Sequence, residues 1–347
     1  MILNLLKIFA PVTVAFVVGL AITPLISGYL YRHQLWKKRA GKVDPSGQAT
    51  PIFNQLHAAR EVNTPRLGGL VIWFSVIITV LAIYFFSLLF PSDLSGKLNF
   101  LSRNQTWIPF AVLILGSLVG LVDDWLEIRA ANGGLAFKKR LLFVILIALG
   151  VSAWFYFKLD FVSVFVPFFG DFFIGPLLIP FFVLVMMALF SSGVIDGLDG
   201  LAGGVMAIIF ATYTGLAFFE NQIDFAAFCA AVTGATLAFL WFNIPPARFY
   251  MSETGILGLT TTLTVVAFLT NSVLVLPLLA FPLFATVLGN LIQLGSKKFR
   301  GKKVFLVAPI HHHFEALGWP PYKVVMRYWI IGVITALVGL IITLLGR

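Results

Sequence analysis

The chain alternates long apolar stretches with short polar connections, and this pattern predicts a bundle of membrane-spanning helices. The apolar runs are continuous rather than alternating, and about 20 such residues suffice to cross a bilayer as a helix. In lipid every backbone polar group must be hydrogen-bonded within the protein, which favours helices over irregular segments. Ten stretches are long enough, or nearly so: about 5–31, 67–90, 107–122, 141–157, 174–192, 201–219, 225–242, 255–271, 273–294 and 325–345.

Composition agrees with this pattern. The 347 residues are 60% hydrophobic and 11% charged, with a mean hydropathy of +0.99, which is typical of a polytopic all-α membrane protein. We interpret residues 1–347 as one transmembrane domain. The first apolar run lacks a small-residue cleavage site and is predicted to be retained as a span. Cys229 is the single cysteine, so neither an intramolecular disulfide nor a thiolate metal cluster can form.

The distribution of basic residues predicts the orientation of the bundle. Of the 24 lysines and arginines, all but Lys7, Lys97, Arg103, Lys158 and Arg347 belong to odd-numbered connections. Cytoplasmic loops accumulate such residues, so the odd-numbered connections are predicted in the cytoplasm and both termini on the outer side. The acids Asp123, Asp124, Asp196 and Glu253 belong to the same connections, which predicts an active site at the cytoplasmic face. The net charge of +10 then reflects contact with membrane lipids rather than nucleic acid. The odd-numbered connections are 32–66, 123–140, 193–200, 243–254 and 295–327.

Asp123 and Asp124 stand side by side at the end of the third apolar run. A carboxylate on a lipid-facing helix costs about 2.5 to 3.5 kcal/mol, so this pair requires water, protein or a cation nearby. On a helix Asp123 and Glu127 share a face, while Asp124 points about 100° away. One acid could then bind a metal or phosphate and another act as a base; the alternative is a solvated helix end.

A second acidic stretch, Asp196-Gly-Leu-Asp199, connects two apolar runs. Its glycines free the backbone to form a turn that presents both carboxylates. Asp199 could instead cap the helix predicted to begin near Leu201. That alternative explains Asp199 well and Asp196 poorly.

A third stretch runs from Asn243 to Gly255 and contains Arg248, Tyr250 and Glu253. An aromatic ring beside a cation suits a nucleobase and its phosphates. The alternative is an interfacial tyrosine with an arginine that reaches the membrane surface.

Arg66 precedes the second apolar run and is followed by Gly68 and Gly69. The guanidinium could hold phosphate, and the glycines allow close approach of backbone or substrate. Paired glycines also serve plain helix packing.

Three consecutive histidines, His311, His312 and His313, form a tract with Glu315. A regular helix cannot direct all three at one ion, so a closed zinc site is not expected. They can donate hydrogen bonds to phosphate oxygens, assisted by nearby lysines.

Two further segments have simpler interpretations. The aromatic segment 161–173, with Pro167 and Gly170, predicts a short external hairpin or an interfacial lid. The polar segment 42–63 predicts a mobile cytoplasmic loop.

Taken together and in this order, these stretches resemble the polyprenyl-phosphate N-acetylhexosamine-1-phosphate transferase superfamily across essentially the whole chain. Within it, His311 to Glu315 followed by Gly318-Trp319-Pro320 resembles the signature of the phospho-N-acetylmuramoyl-pentapeptide transferase family. The resemblance implies a ten-helix enzyme of the cell membrane with outward termini, often a homodimer. Its reaction requires Mg²⁺ and transfers phospho-N-acetylmuramoyl-pentapeptide from UDP-MurNAc-pentapeptide to undecaprenyl phosphate, giving lipid I and UMP.

The resemblance also implies roles for individual residues. Asp123 and Asp124 match the catalytic acid pair, and Asp196 matches a third acid of the family pattern. Glu253 falls where the family has its magnesium-ligating Asp. The predicted substrate-binding residues are Arg66, Asp199, Asn243, Tyr250, which matches a uracil-stacking aromatic residue, and the histidines His311, His312 and His313.

Three positions depart from the pattern. The family usually has Met-Gly-Asp where this chain has Met251-Ser252-Glu253, and Asn where it has Gly193. The stretch 64–69 is more similar to the wall-teichoic and enterobacterial-antigen branch. Transfer from UDP-N-acetylglucosamine and a catalytically silent relative are therefore alternatives. A secondary transporter, with ion-coupling acids near the bilayer midplane, is the alternative from another class.

Overall fold

The computed structural model describes residues 2–37, 62–101, 104–129 and 134–347. These segments are mainly helical, with one two-stranded hairpin. Short 3-10 turns at Gly175–Leu177 and Ser192–Ile195 lie on either side of the helix Leu178–Ser191. The helices are α1 (Ile2–Arg32), α2 (Gly69–Leu89), α3 (Asp93–Leu98), α4 (Asn104–Arg129), α5 (Phe137–Lys158), α6 (Leu178–Ser191), α7 (Leu201–Phe219), α8 (Ile223–Asn243), α9 (Ser252–Leu269), α10 (Leu276–Leu279), α11 (Phe281–Arg300), α12 (Ile310–Ala316) and α13 (Pro321–Leu345).

Nine helices of the described segments are long and apolar enough to cross a membrane, which confirms a polytopic helical membrane protein. The predicted span 273–294 is not among them, and it is divided between α10 and α11. Three basic residues near the end of α11 lower its hydropathy. This helix still has 20 residues, and at about 1.5 Å per residue it is long enough to span the hydrocarbon core.

Both chain ends lie at the same end of the bundle. Lys7 of α1 forms an ion pair with Asp224 in the first turn of α8, and Arg347 forms one with Glu220. Because Glu220 and Asp224 belong to the connection around the start of α8, the two ends of the chain meet there. An even number of crossings follows, and α11 is the remaining long helix of the described segments that can supply the tenth. The outer location of this end stays a prediction.

The connections predicted to be cytoplasmic meet at the opposite end, which we call the site end. The hydroxyl of Tyr31, at the end of α1, donates to the carbonyl oxygen of Arg248 at 2.8 Å. The backbone nitrogen of Tyr250 donates to the carbonyl oxygen of Pro65 at 2.9 Å. The connection between α8 and α9 is thereby attached to both α1 and the start of α2.

The core of the bundle lies around α8 and α9, which are buried along most of their length, whereas α1 and α13 expose many apolar side chains. Helix α9 packs mainly against α4, and α8 against α1 and α7. A methyl group on Gly120 of α4 would overlap the carbonyl oxygen of Glu253. This glycine therefore permits the close approach of α4 to the start of α9, where the acidic residues of both helices lie.

Strands β1 (Ser163–Val166) and β2 (Gly170–Phe173) pair in antiparallel register, which confirms the predicted hairpin. The backbone nitrogen of Phe168 at its tip donates to the carbonyl oxygen of Gly346 at 2.8 Å. The hairpin is thereby attached to the end of the bundle that holds both termini. The predicted mobile loop 42–63 lies outside the described residues, except for its last two positions.

Glu220 is expected to make stability depend on pH. Burial raises the pKa of its carboxyl from 4.5 to about 7, although Arg347 opposes the shift. The folded protein then retains a proton that the unfolded chain has released, so the free energy of unfolding falls as the pH rises through this interval. Glu220→Gln should reduce the difference in melting temperature between about pH 5 and about pH 8. The exposed variant Asp171→Asn is the control, and an unchanged pH dependence in Glu220→Gln would contradict the prediction.

Candidate active site

Arg140 joins two acids that are distant in the sequence. Asp123 lies in the last two turns of α4, Glu253 in the first turn of α9 and Arg140 in the first turn of α5. The Nη1 atom of Arg140 donates to Asp123 Oδ2 at 3.1 Å and to Glu253 Oε1 at 2.5 Å. Asp123 Oδ1 accepts from the backbone nitrogen of Leu135 at 2.5 Å. Acids from two separate helices therefore share one guanidinium nitrogen.

Asp124 is fully buried and is hydrogen-bonded to Thr254, the residue after Glu253. Its Oδ2 atom accepts from the backbone nitrogen of Thr254 at 2.8 Å and from the Thr254 hydroxyl at 2.6 Å. Its Oδ1 atom has no hydrogen-bond partner among the described residues, and Arg66 Nε lies 3.4 Å away. One oxygen of this acid is thus fixed by α9, while the other forms an ion pair with Arg66 without a hydrogen bond.

Arg66 forms ion pairs with two acids of α4. Its Nε atom lies 3.4 Å from Asp124 Oδ1 and its Nη2 atom 3.0 Å from Glu127 Oε2. Lys37 Nζ lies 3.0 Å from the other Glu127 oxygen. Burial lowers the pKa of Arg66, but the surrounding carboxylates outweigh it and raise the pKa above its ordinary value. Arg66 is therefore a fixed cation at the site end.

The acidic turn before α7 is attached to the connection between α8 and α9. Asp196 Oδ2 accepts from the backbone nitrogen of Ser252 at 2.8 Å, and Asp199 Oδ2 accepts from that of Ala247 at 3.1 Å. Gly200 occupies the N-cap of α7 without a side-chain capping bond. Gly200 therefore occupies the capping position that the alternative assigned to Asp199. The Asp199 carboxylate accepts a hydrogen bond from a different segment of the chain.

Asn243 connects the same two segments from the end of α8. Its Oδ1 atom accepts from the backbone nitrogen of Gly200, and its Nδ2 atom donates to the carbonyl oxygen of Phe249, both at 2.9 Å. Since Asn243 is 2% exposed, this amide mainly braces the turn of the acids. Tyr250 lies two positions before Ser252, and its backbone nitrogen donates to the carbonyl oxygen of Pro65.

His311 and His312 lie against the acidic turn. Both are buried, and a methyl group on Gly197 would lie 2.5 Å from His311 Nε2 and 2.8 Å from His312 Nε2. Glycine is therefore required between Asp196 and Leu198 for this approach. His312 Nδ1 lies 2.6 Å from Glu315 Oε2, which orients its ring with Nε2 toward the turn.

His313 has different surroundings from the other two histidines. Its Nδ1 atom accepts from the backbone nitrogen of Leu306 at 3.2 Å, and its ring packs edge-on against Phe305. It thus fixes the loop before α12, while its neighbours border the acids. A substrate contact by His313 stays a prediction.

Ser252 begins α9 in a strained conformation. Its φ of 57° lies in the left-handed region that costs a non-glycine residue about 1 to 2 kcal/mol. The family pattern has glycine here, which adopts this conformation without a clash. We expect Ser252→Gly to raise the free energy of unfolding by about 1 kcal/mol. Thermal unfolding in detergent should show this gain.

Ser191→Gly is a suitable control for that measurement. Its φ is −65°, so glycine relieves no strain there; it increases the freedom of the unfolded chain and removes the bond from the Ser191 hydroxyl to the carbonyl oxygen of Met187. Equal losses of stability in both variants would contradict the strain at Ser252.

Three residues of the site were missed by the motif analysis. Arg140 and Lys37 were counted only as basic loop residues, and Thr254 was not considered. Thr254 could have been found from its position beside Glu253. The partners of Arg140 and Lys37 depend on how the helices pack, which no spacing in the sequence specifies.

The donor set fits a hard divalent cation. Carboxylate oxygens are the ligands that Mg²⁺ prefers, and Asp124 Oδ1 is buried with only Arg66 near it. Asp123 and Glu253 contribute oxygens that converge on one cation, at present Arg140. Within the described segments, no three acidic, histidine or cysteine side chains are already arranged around a metal position.

Comparison with known proteins identifies the family. Residues 106–271 match the model described as glycosyl transferase family 4. The chain is 37% identical over 305 residues to phospho-N-acetylmuramoyl-pentapeptide-transferase of Dichelobacter nodosus (strain VCS1703A), covering 81% of this chain and 80% of the relative. The chain belongs to the phospho-N-acetylmuramoyl-pentapeptide transferase family. The chain is also 34% identical to the protein of the same name from Thermoanaerobacter sp. (strain X514), covering 94% of this chain and 96% of the relative. It is 30% identical to that of Chloroflexus aurantiacus (strain ATCC 29366 / DSM 635 / J-10-fl), covering 93% of this chain and 87% of the relative.

For this phospho-N-acetylmuramoyl-pentapeptide transferase family member, the matched region 106–271 contains the acids of α4, the turn before α7 and the start of α9. Arg66 and the histidine tract lie outside it. Both are nevertheless brought to the same end of the bundle, Arg66 through Asp124 and the histidines through Gly197.

Proposed function

We propose that the protein transfers phospho-N-acetylmuramoyl-pentapeptide from UDP-MurNAc-pentapeptide to undecaprenyl phosphate, giving lipid I and UMP for peptidoglycan synthesis. The observation that carries the proposal is the meeting of Asp123, Asp124, Asp196 and Glu253 around the start of α9. It occurs in a chain 37% identical to a transferase of that name.

The charges of the site suit two phosphorylated substrates. Carboxylates alone would repel both a diphosphate and a lipid phosphate, but Arg66, Arg140 and Lys37 are interleaved with them. Cations fixed by neighbouring acids need little rearrangement when charge develops on a leaving phosphate. The alternation of acids and bases is therefore an argument for phosphoryl transfer over simple cation transport.

Magnesium is the cofactor of the proposed reaction. Asp123, Asp124 and Glu253 are the residues that would hold it, since their oxygens lie around the contact between α4 and α9. When bound, Mg²⁺ neutralises charge on the phosphates and on the departing UMP. Glu keeps the hard oxygen of the usual Asp and adds one methylene.

The remaining residues bind and orient the substrates in this proposal. Asp124, or its neighbour Asp123, accepts a proton from the lipid phosphate, and Arg66 binds a phosphate. Tyr250 stacks on uracil, while Asp199 and Asn243 hold the acidic turn in register. The histidines His311, His312 and His313 donate hydrogen bonds to phosphate oxygens.

An apolar groove beside the acids suits the lipid substrate. It has a volume of about 460 Å³ and is formed by the ends of α1 and α4 and the start of α2. Leu67, next to Arg66, and Trp125, next to Asp124, both line it. A polyprenyl chain in this groove brings its phosphate to the charged cluster. In this proposal the site lies at the cytoplasmic face of the inner membrane. The protein forms a homodimer, as the resemblance to the family implies.

The test is a comparison of UDP-sugars with one acceptor. The purified full chain is incubated with undecaprenyl phosphate, Mg²⁺ and either UDP-MurNAc-pentapeptide or UDP-N-acetylglucosamine, and released UMP and the lipid product are measured. We expect equimolar UMP and lipid I from the muramoyl substrate and none after removal of Mg²⁺. Turnover of UDP-N-acetylglucosamine alone would support a transferase for another polymer. An absence of UMP with either sugar would contradict the proposal.

A further inference from the structure

Arg140 lies where the two acids of α4 and α9 face each other. A single nitrogen, Nη1, contacts Asp123 and Glu253, and the side chain of Arg140 is 22% exposed. The neighbouring Nε atom is buried without a hydrogen-bond partner in the described part of the chain. The guanidinium is thus held mainly by these two carboxylates.

This nitrogen lies in the gap between two acids that would hold a divalent ion. An ion held by both Asp123 and Glu253 would occupy the space between their carboxylates, and Nη1 lies there, 3.1 Å from Asp123 Oδ2 and 2.5 Å from Glu253 Oε1. Mg²⁺ needs oxygens at about 2.0 to 2.1 Å and a nearly octahedral shell. An arginine nitrogen and a metal ion cannot both occupy this gap, and two cations there repel each other.

We propose that Arg140 is a competing internal cation: it neutralises Asp123 and Glu253 in the metal-free protein and must leave their gap before a divalent ion binds there. The inference rests on the proposed magnesium requirement and adds a residue that controls it. Arg140 is a positioning residue in this account, because it acts through the carboxylates. Its competition keeps the two acids compatible with the buried start of α9 when no metal is bound.

The experiment measures metal binding without substrate. The full chain in detergent is titrated with Mn²⁺ alone, and free Mn²⁺ is followed by its electron paramagnetic resonance signal. Arg140→Gln keeps a hydrogen-bond donor but removes the charge, so we expect the apparent Mn²⁺ dissociation constant to fall about tenfold. Arg140→Lys retains a point charge and should bind Mn²⁺ with an affinity between that of the wild type and that of Arg140→Gln.

Lys139→Gln is the matched control. This residue precedes Arg140, is exposed, and carries the same charge, so its removal tests the general electrostatic effect of losing one cation near the site. We expect it to change Mn²⁺ affinity much less than Arg140→Gln does. Melting temperatures with and without Mg²⁺ give a second readout, and the larger Mg²⁺-induced rise should occur in Arg140→Gln.

Unchanged or weaker Mn²⁺ binding by folded Arg140→Gln would overturn this inference, since Arg140 would then support the metal ligands or be irrelevant to them. An equal gain in Lys139→Gln would overturn it as well. The outcome is separate from that of the proposed function, because the titration uses neither nucleotide nor lipid. Wild-type protein that releases no UMP would refute the function alone.

Discussion

Asp124→Asn is expected to lower the rate of UMP release by about 10³-fold while the protein stays folded. The amide retains an oxygen that can accept from the backbone nitrogen and hydroxyl of Thr254, so the contact between α4 and α9 survives. It loses the negative charge that faces Arg66 and the ability to accept a proton. The loss should therefore appear in kcat, with little change in melting temperature.

Two variants define the control for this result. Asp171→Asn removes an exposed carboxylate from the hairpin at the other end of the bundle and should leave UMP release unchanged. Thr254→Val removes the hydroxyl bond to Asp124 but preserves the charge, so an intermediate loss is expected. Full turnover by Asp124→Asn would remove this residue from the chemistry.

Glu253→Ala is expected to have a similar effect, about 10³-fold on UMP release, for a different reason. Alanine removes one of the oxygens that would hold Mg²⁺ and leaves Arg140 in its ion pair with Asp123. Rates measured across a range of Mg²⁺ concentrations should show a weaker dependence on the metal in addition to the lower maximum.

Glu253→Asp tests whether the carboxylate itself is required. It restores the residue that the family pattern has at this position and shortens the side chain by one methylene. We expect it to retain activity within about tenfold of the wild type, because the hard oxygen ligand is preserved. High activity of Glu253→Ala, or equal losses in both variants, would contradict the assigned role.

The helices could be predicted from the sequence because lipid imposes the same requirement on every crossing. Continuous apolar runs predicted the nine helices of the described segments that are long and apolar enough to cross a membrane. The region 273–294 was harder, since Pro282 falls at the start of α11 and basic residues fall near its end. Its helix boundaries depend on packing between helices, which hydropathy does not record.

The site was predictable in its residue types but not in its pairings. The motifs indicated that Asp123, Asp124 and Glu253 belong together, and the structure joins them at the start of α9. The ion pair of Glu127 could not be predicted, because a helical wheel does not include Arg66, which approaches from outside α4. Arg140 was missed because its two acceptors become neighbours only when α4, α5 and α9 pack together.

The central claim is that acids from separate helices act as one catalytic unit at the site end, and the double variant Asp124→Asn/Glu253→Ala tests it most directly. Each cation retains an acid in this variant, Arg66 with Glu127 and Arg140 with Asp123, so folding should be preserved. With uridine-labelled UDP-MurNAc-pentapeptide, a single unit predicts UMP release about as slow as in the slower single variant, roughly 10³-fold below the wild type. Losses that multiply to about 10⁶-fold would mean that the two acids act independently, and would contradict the account.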